Sequence, residues 1–107
     1  MKWVTSVSPL IKEFELRKSP IIIRVNKFNE DEAKKFDQSV AQAHNTGQPV
    51  IPVIIDSYGG QVYSLMAMIS SIKSSEVPIA TIVEGKAMSC GAILFSFGVE
   101  GMRFMDP

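Results

Sequence analysis

Cysteine is all but missing from this chain of 107 residues. The single thiol, Cys90, cannot close a disulfide within the chain or build a zinc cluster, and such sparing use suits a reducing compartment, so a cytoplasmic location is expected. An excess of charge of either sign is also missing. Eleven Lys plus Arg face eleven Asp plus Glu, which leaves no electrostatic footprint for nucleic acid or an anionic lipid surface. No apolar run approaches the about eighteen residues that a membrane span needs, and the longest, residues 50–55, contains Pro52. At the start, Thr5, Ser6 and Ser8 interrupt the apolar residues and Pro9 follows, so no signal-peptide core forms and export is not expected. Repeats, low-complexity tracts and Gly/Ser linkers are absent, and the length excludes a second complete domain. There is one histidine, His44, which leaves little choice of imidazole for acid–base chemistry.

What is present is enough to fold. Hydrophobic residues make up 46% and charged residues 21%, the balance of a globular chain with a core. The first eighteen residues are read as an amino-terminal arm, within which residues 13–17 alternate polar and apolar in the manner of a half-exposed strand. From Pro20 the β-branched run Ile21, Ile22, Ile23 and Val25 predicts a strand buried on both faces. Asn29 followed by Glu30, Asp31 and Glu32 predicts a capped helix start with acids at the positive end of the dipole. Ala33, Phe36, Val40 and Ala43 form the apolar face of that helix, which is expected to end near His44, with Asn45 to Gly47 as its stop.

The next apolar run, residues 50–55, reads as a second strand, with Pro52 marking a sheet edge or a strand start. It enters the turn Asp56-Ser57-Tyr58-Gly59-Gly60 directly. Val62, Leu65, Met66, Ile69 and Ile72 then fall on one helical face, and residues 78–83 form a third strand that meets Gly85. After the small-residue turn Ala87-Met88-Ser89-Cys90-Gly91, Ile93, Leu94 and Phe97 open another helix, and residues 102–105 begin a fourth strand. Alternation of this kind predicts an α/β fold with a parallel sheet.

Both glycine-containing turns are expected at the carboxyl ends of neighbouring parallel strands, where open α/β sheets place their ligand crevices. Gly59 and Gly60 let a bound group approach the backbone. Ser89, at a helix start, offers an exposed hydroxyl beside the unpaired N–H of Cys90. One attacking oxygen and two backbone donors are what a tetrahedral acyl-transfer intermediate requires. The same residues also admit a purely structural reading, in which Gly-Gly is a turn and Ser89 an N-cap.

Taken together, Asp56-Ser57-Tyr58-Gly59-Gly60-Gln61-Val62, the turn Gly85-Lys86-Ala87-Met88-Ser89-Cys90-Gly91-Ala92 and the segment Gly101-Met102-Arg103-Phe104 resemble the proteolytic subunit of the Clp protease. The resemblance runs from about Pro20 to Phe104, so residues 19–107 are read as the N-terminal part of a Clp-protease-like domain. It implies the ββα superhelix shared with crotonases and a serine endopeptidase that uses no cofactor and no metal. Ser89 is then the nucleophile, the N–H groups of Gly60 and Cys90 are the oxyanion hole, and Gly59, Gln61 and Val62 bind substrate backbone as an added strand. The implied partners are an unfolded protein or peptide substrate, further copies in a homo-oligomeric ring, and an ATP-driven unfoldase.

Two residues depart from the family pattern. Tyr58 stands where proline is usual and Cys90 where methionine is usual; both are tolerable where the roles are those of the backbone. The catalytic histidine and aspartate are expected beyond Pro107, in a chain read here as incomplete. His44 lies before the second strand and is expected on the surface, about 20 Å from Ser89, given six strand residues at about 3.3 Å each. Lys86, the candidate for a Ser-Lys dyad of the signal-peptide-peptidase kind, is expected to be solvated. The cluster Glu30, Asp31, Glu32 is read as dipole compensation rather than a metal site. The alternatives left open are a noncatalytic ring subunit or interaction module, and a crotonase-type acyl-CoA enzyme that uses the same two donors.

Overall fold

The computed structural model describes residues 19–105, and the expected arm of residues 1–18 lies outside them. Strands and helices alternate without exception: β1 (Ile23–Val25), α1 (Glu30–Thr46), β2 (Ile51–Ser57), α2 (Val62–Ser74), β3 (Ile79–Ala87), α3 (Cys90–Phe95) and β4 (Arg103–Met105). The four strands form one sheet in the order β1-β2-β3-β4, and every pairing is parallel. Parallel neighbours need a crossover, and each helix supplies one. The α/β expectation is therefore met.

Local chemistry explains where α1 begins and ends. The Asn29 side chain accepts the Glu32 N–H at 2.8 Å, three acids occupy the first turn, and Gly47 ends the helix with φ 78°. Its buried residues are the four that the spacing picks out: Ala33, Phe36, Val40 and Ala43. They pack with Ile23, Val25, Ile51, Val53 and Ile55 from the sheet, and with Leu65, Met68 and Ile69 from α2, into one core. β2 is interior and its Ile51, Val53 and Ile55 are fully buried, which is why it reads as an unbroken apolar run. Pro52 is the second residue of this interior strand, ahead of the Ile23–Val53 pair where β1 joins, so it marks a strand start and not a sheet edge.

Three expectations about the elements need correction. β1 is not buried on both faces: among the described residues it is an edge strand limited to Ile23–Val25, with Arg24 and the preceding Ile22 exposed. On α2 the buried set is Ser64, Leu65, Met68, Ile69 and Ser71, whereas Val62 and Met66 are 65% and 56% exposed. The helix is turned so that Met68 fills the core and Ser71 hydrogen-bonds Asp37 of α1 at 2.7 Å. Apolar residues lie on so much of this helix that their spacing alone does not select a face. On β3 the strand does not stop at Gly85 but runs on to Ala87. Between the pairs Ile55–Val83 and Ser57–Ala87, β2 contributes Asp56 alone while β3 contributes Glu84, Gly85 and Lys86. This bulge allows β3 to continue.

Candidate active site

The ends of β2 and β3 set the position of the site. Beyond β2 the chain turns through Tyr58, Gly59 and Gly60 into α2; beyond β3 it turns through Met88 and Ser89 into α3. Ser57, 1% exposed, ties the two turns together. Its hydroxyl accepts the Gly59 N–H at 3.0 Å, and its carbonyl accepts the Met88 N–H at 3.0 Å. The sequence offered only a faint signal for this role, a small hydroxyl residue closing a buried apolar strand.

Ser89 is the one described residue other than glycine with a positive φ, at φ 53° and ψ −117°. A β-carbon is crowded in that conformation, which costs about 1–3 kcal/mol when the surroundings enforce it. The side chain is exposed, and its hydroxyl has no hydrogen-bond partner among the described residues. Ser89 is therefore not an N-cap in the ordinary sense. It sits on a sharp strand-to-helix turn with its oxygen presented outward, the arrangement of a nucleophile elbow.

The glycine turn lies against it. A β-carbon on Gly59 would fall 3.0 Å from Ser89 Cβ and 3.5 Å from Ser89 Oγ, and the φ of +118° is one that glycine alone adopts freely. Gly60 is fixed from the other side by a parallel bridge to Phe28, with the Gln61 N–H donated to the Phe28 carbonyl at 2.8 Å. The Cys90 thiol, 2% exposed, approaches the Gly60 carbonyl at 3.5 Å and links the turns a second time. Among the described residues, neither the Gly60 N–H nor the Cys90 N–H donates to any acceptor. One exposed hydroxyl and two uncommitted amides thus lie within one small neighbourhood.

The remaining candidates are placed differently from the sequence expectations. Gln61 contributes no free amide, since its N–H is spent on Phe28, and Val62 is left with an exposed side chain at the start of α2. Lys86 stays partly exposed, as expected, but it is not without partners: its Nζ is 2.7 Å from Asp56 Oδ1 and 4.4 Å from the centre of the Tyr58 ring. The hydrogen bond to Asp56 raises the Lys86 pKa and lowers that of Asp56, so both groups stay charged at neutral pH. A permanently protonated Lys86 cannot take the Ser89 proton.

His44 is not a free surface residue either. Its Nδ1 is 2.8 Å from the Val40 carbonyl and its Nε2 accepts the Glu76 N–H at 3.1 Å, which fastens the end of α1 to the loop before β3. The length of β3 lies between that loop and Ser89, nine residues at about 3.3 Å each. Glu30, Asp31 and Glu32 line the first turn of α1, and no group of three potential metal ligands occurs among the described residues. No helix among them is long and apolar enough to cross a membrane.

The Clp protease family profile matches residues 8–107, beginning ahead of the Pro20 start suggested by the motifs. The ATP-dependent Clp protease proteolytic subunit 1 of Chlamydia trachomatis is 40% identical over 63 residues, which are 59% of this chain and 32% of that protein. The subunit of the same name from Chlamydia abortus is 38% identical over 63 residues, again 59% and 32%. The chain thus spans about a third of the length of these curated relatives. With the profile covering nearly all of its residues, the chain belongs to the Clp protease family.

Proposed function

We propose that the chain carries the nucleophile and oxyanion half of a Clp-type serine endopeptidase site. Ser89 Oγ attacks the carbonyl carbon of a peptide bond, and the N–H groups of Gly60 and Cys90 receive the oxygen as it gains negative charge. One such donor is worth about 3 kcal/mol of transition-state stabilisation. The observation that carries this reading is the strained, outward-facing Ser89, packed against Gly59 and beside two uncommitted amides. Gly59 keeps the approach open, and an extended substrate segment runs past it toward Val62. Gln61 borders that path with its side chain only. The four parallel strands form part of the ββα superhelix shared with crotonases, and the assembled protein is a ring that receives unfolded polypeptide from an ATP-driven unfoldase in the cytoplasm.

As the Oγ–C bond forms, the hydroxyl proton has to reach a base and then the leaving amine. The one histidine is fastened to the Glu76 loop and Lys86 is already protonated. We assign that role to a histidine outside these 107 residues, as the family resemblance implies. The 107 residues alone should show no Ser89-dependent cleavage of an unstructured peptide.

A chimera joining residues 19–105 to the carboxyl-terminal portion of the Chlamydia trachomatis subunit tests the assignment. It is expected to cleave such a peptide and to label at Ser89 with a fluorophosphonate, with Ser89→Ala reducing cleavage by about 10³-fold or more. A folded, assembled chimera that neither cleaves nor labels would instead make the chain a noncatalytic ring subunit. That neither His44 nor Lys86, among the described residues, is free to take the Ser89 proton is the observation that favours that second reading.

A further inference from the structure

The bulge between β2 and β3 lies directly before both turns of the site, and one charged pair closes it. Asp56 is the lone β2 residue opposite Glu84, Gly85 and Lys86. Lys86 reaches back across the gap to Asp56 Oδ1 at 2.7 Å, a length typical of a charge-assisted hydrogen bond. Asn26, just beyond β1, donates its side-chain amide to the Asp56 carbonyl at 3.1 Å. Gly85 adopts a φ of +102°, and a β-carbon there would lie 2.7 Å from Asp56 Oδ1, so only glycine leaves room for the carboxylate. The Lys86 ammonium also covers the ring of Tyr58, the residue between Ser57 and Gly59. A second pair, Arg24–Glu84, spans 3.5 Å nearby but touches neither turn.

We propose that Lys86, held by Asp56 and seated on Tyr58, is a positioning residue that fixes the Gly59–Gly60 turn against the Ser89 turn. Lys86 belongs to the chain segment that leads into Ser89, and its two partners belong to the segment that leads into Gly59. Its ammonium is therefore a cross-strap between the oxyanion side and the nucleophile side. Both side chains are over a third exposed, and exposed ion pairs add little to global stability. The effect of the strap is thus local: without it the two turns move relative to each other while the core stays folded. This role presupposes the acyl-transfer function proposed above, and it can be measured without catalysis.

The amide signals of the 107-residue chain provide the test. Lys86→Met is expected to shift the ¹H–¹⁵N resonances of Gly59, Gly60, Ser89 and Cys90 and to speed their hydrogen exchange severalfold, with little change in the urea midpoint. Lys86→Arg, which can still reach Asp56 and stack on Tyr58, restores all four. Asp56→Asn removes one charge and gives an intermediate displacement. Unmoved turn amides in Lys86→Met would overturn the proposal, as would a general fall in stability in which core amides change alike, or failure of both Lys86→Met and Asp56→Asn to fold. Binding of a peptide boronate to the chimera carrying Ser89, but not to its Ser89→Ala form, tests the acyl-transfer role separately. If that binding is absent while the amide shifts occur, the functional assignment fails and the strap stands.

Discussion

Replacing Ser89 by glycine is expected to stabilise the protein while removing its candidate nucleophile. At φ 53° and ψ −117° the serine β-carbon is held in a crowded backbone conformation, 3.0 Å from where a Gly59 β-carbon would be. Release of such strain yields about 1–3 kcal/mol. Against this, glycine frees the unfolded chain and costs about 0.5–1 kcal/mol relative to alanine. The net gain is about 0–2.5 kcal/mol, up to several degrees in the thermal midpoint of a domain this size. Ser89→Ala is the reference, because it removes the same unbonded hydroxyl and keeps the β-carbon. Urea unfolding of the two variants side by side measures the difference, with the slope of the transition as a check that the unfolded state is unchanged. A glycine variant less stable than the alanine variant would show that Ser89 is not strained and would remove the main support for the nucleophile assignment.

Gly60→Ala is expected to destabilise for a different reason. The new β-carbon would lie 2.6 Å from the Phe28 carbonyl oxygen and 2.7 Å from Phe28 Cβ, and Phe28 is buried backbone that cannot swing aside. Overpacking of this kind costs about 1–3 kcal/mol, and the urea midpoint should fall accordingly. The Asp56–Lys86 pair sets a pH window. Asp56 is depressed below its ordinary 3.8, so its contribution is present above that value and is lost as pH falls through the lower folded one. Lys86 is raised above its ordinary 10.5, so its contribution is full below that value and is lost as pH rises through the higher folded one. The turn amides should therefore be constant between about pH 5 and 9 and move only outside that range, which an NMR titration reads directly; a transition near neutrality would contradict the pairing.

The parts of the fold that were legible in the sequence are those fixed by neighbours along the chain. Asn29, the three acids and Gly47 mark the ends of α1 because caps and dipoles act within one turn, and Ala33, Phe36, Val40 and Ala43 mark its inner face because the one other apolar residue of the helix is the small Ala41. On α2, apolar residues at 62, 65, 66, 68, 69 and 72 leave the face undecided until α1 and the sheet select it. The continuation of β3 past Gly85 depends on its register with β2, and the partners of Lys86 and His44 lie 30 and 32 residues away. Such contacts are set by tertiary packing, so local pattern left both side chains as solvated.

The candidate site shows the same division at higher resolution. Its proposed chemistry uses backbone amides and one hydroxyl, roles that the spacing of Gly60 and Ser89 suggested in the sequence. Side-chain contacts also tie these turns together, at the two positions read in the sequence as departures from the family pattern. Cys90 brings its buried thiol to the Gly60 carbonyl, and Tyr58 provides the ring that seats Lys86. Neither substitution is inert, although both occur where the backbone alone was expected to matter. Each places a side chain from one turn against the other turn or the strand leading into it, across the gap that Ser57 already bridges from below. Three separate ties across one gap are more than a surface turn needs for stability, and they are what holding two amides and a hydroxyl in fixed relative positions requires.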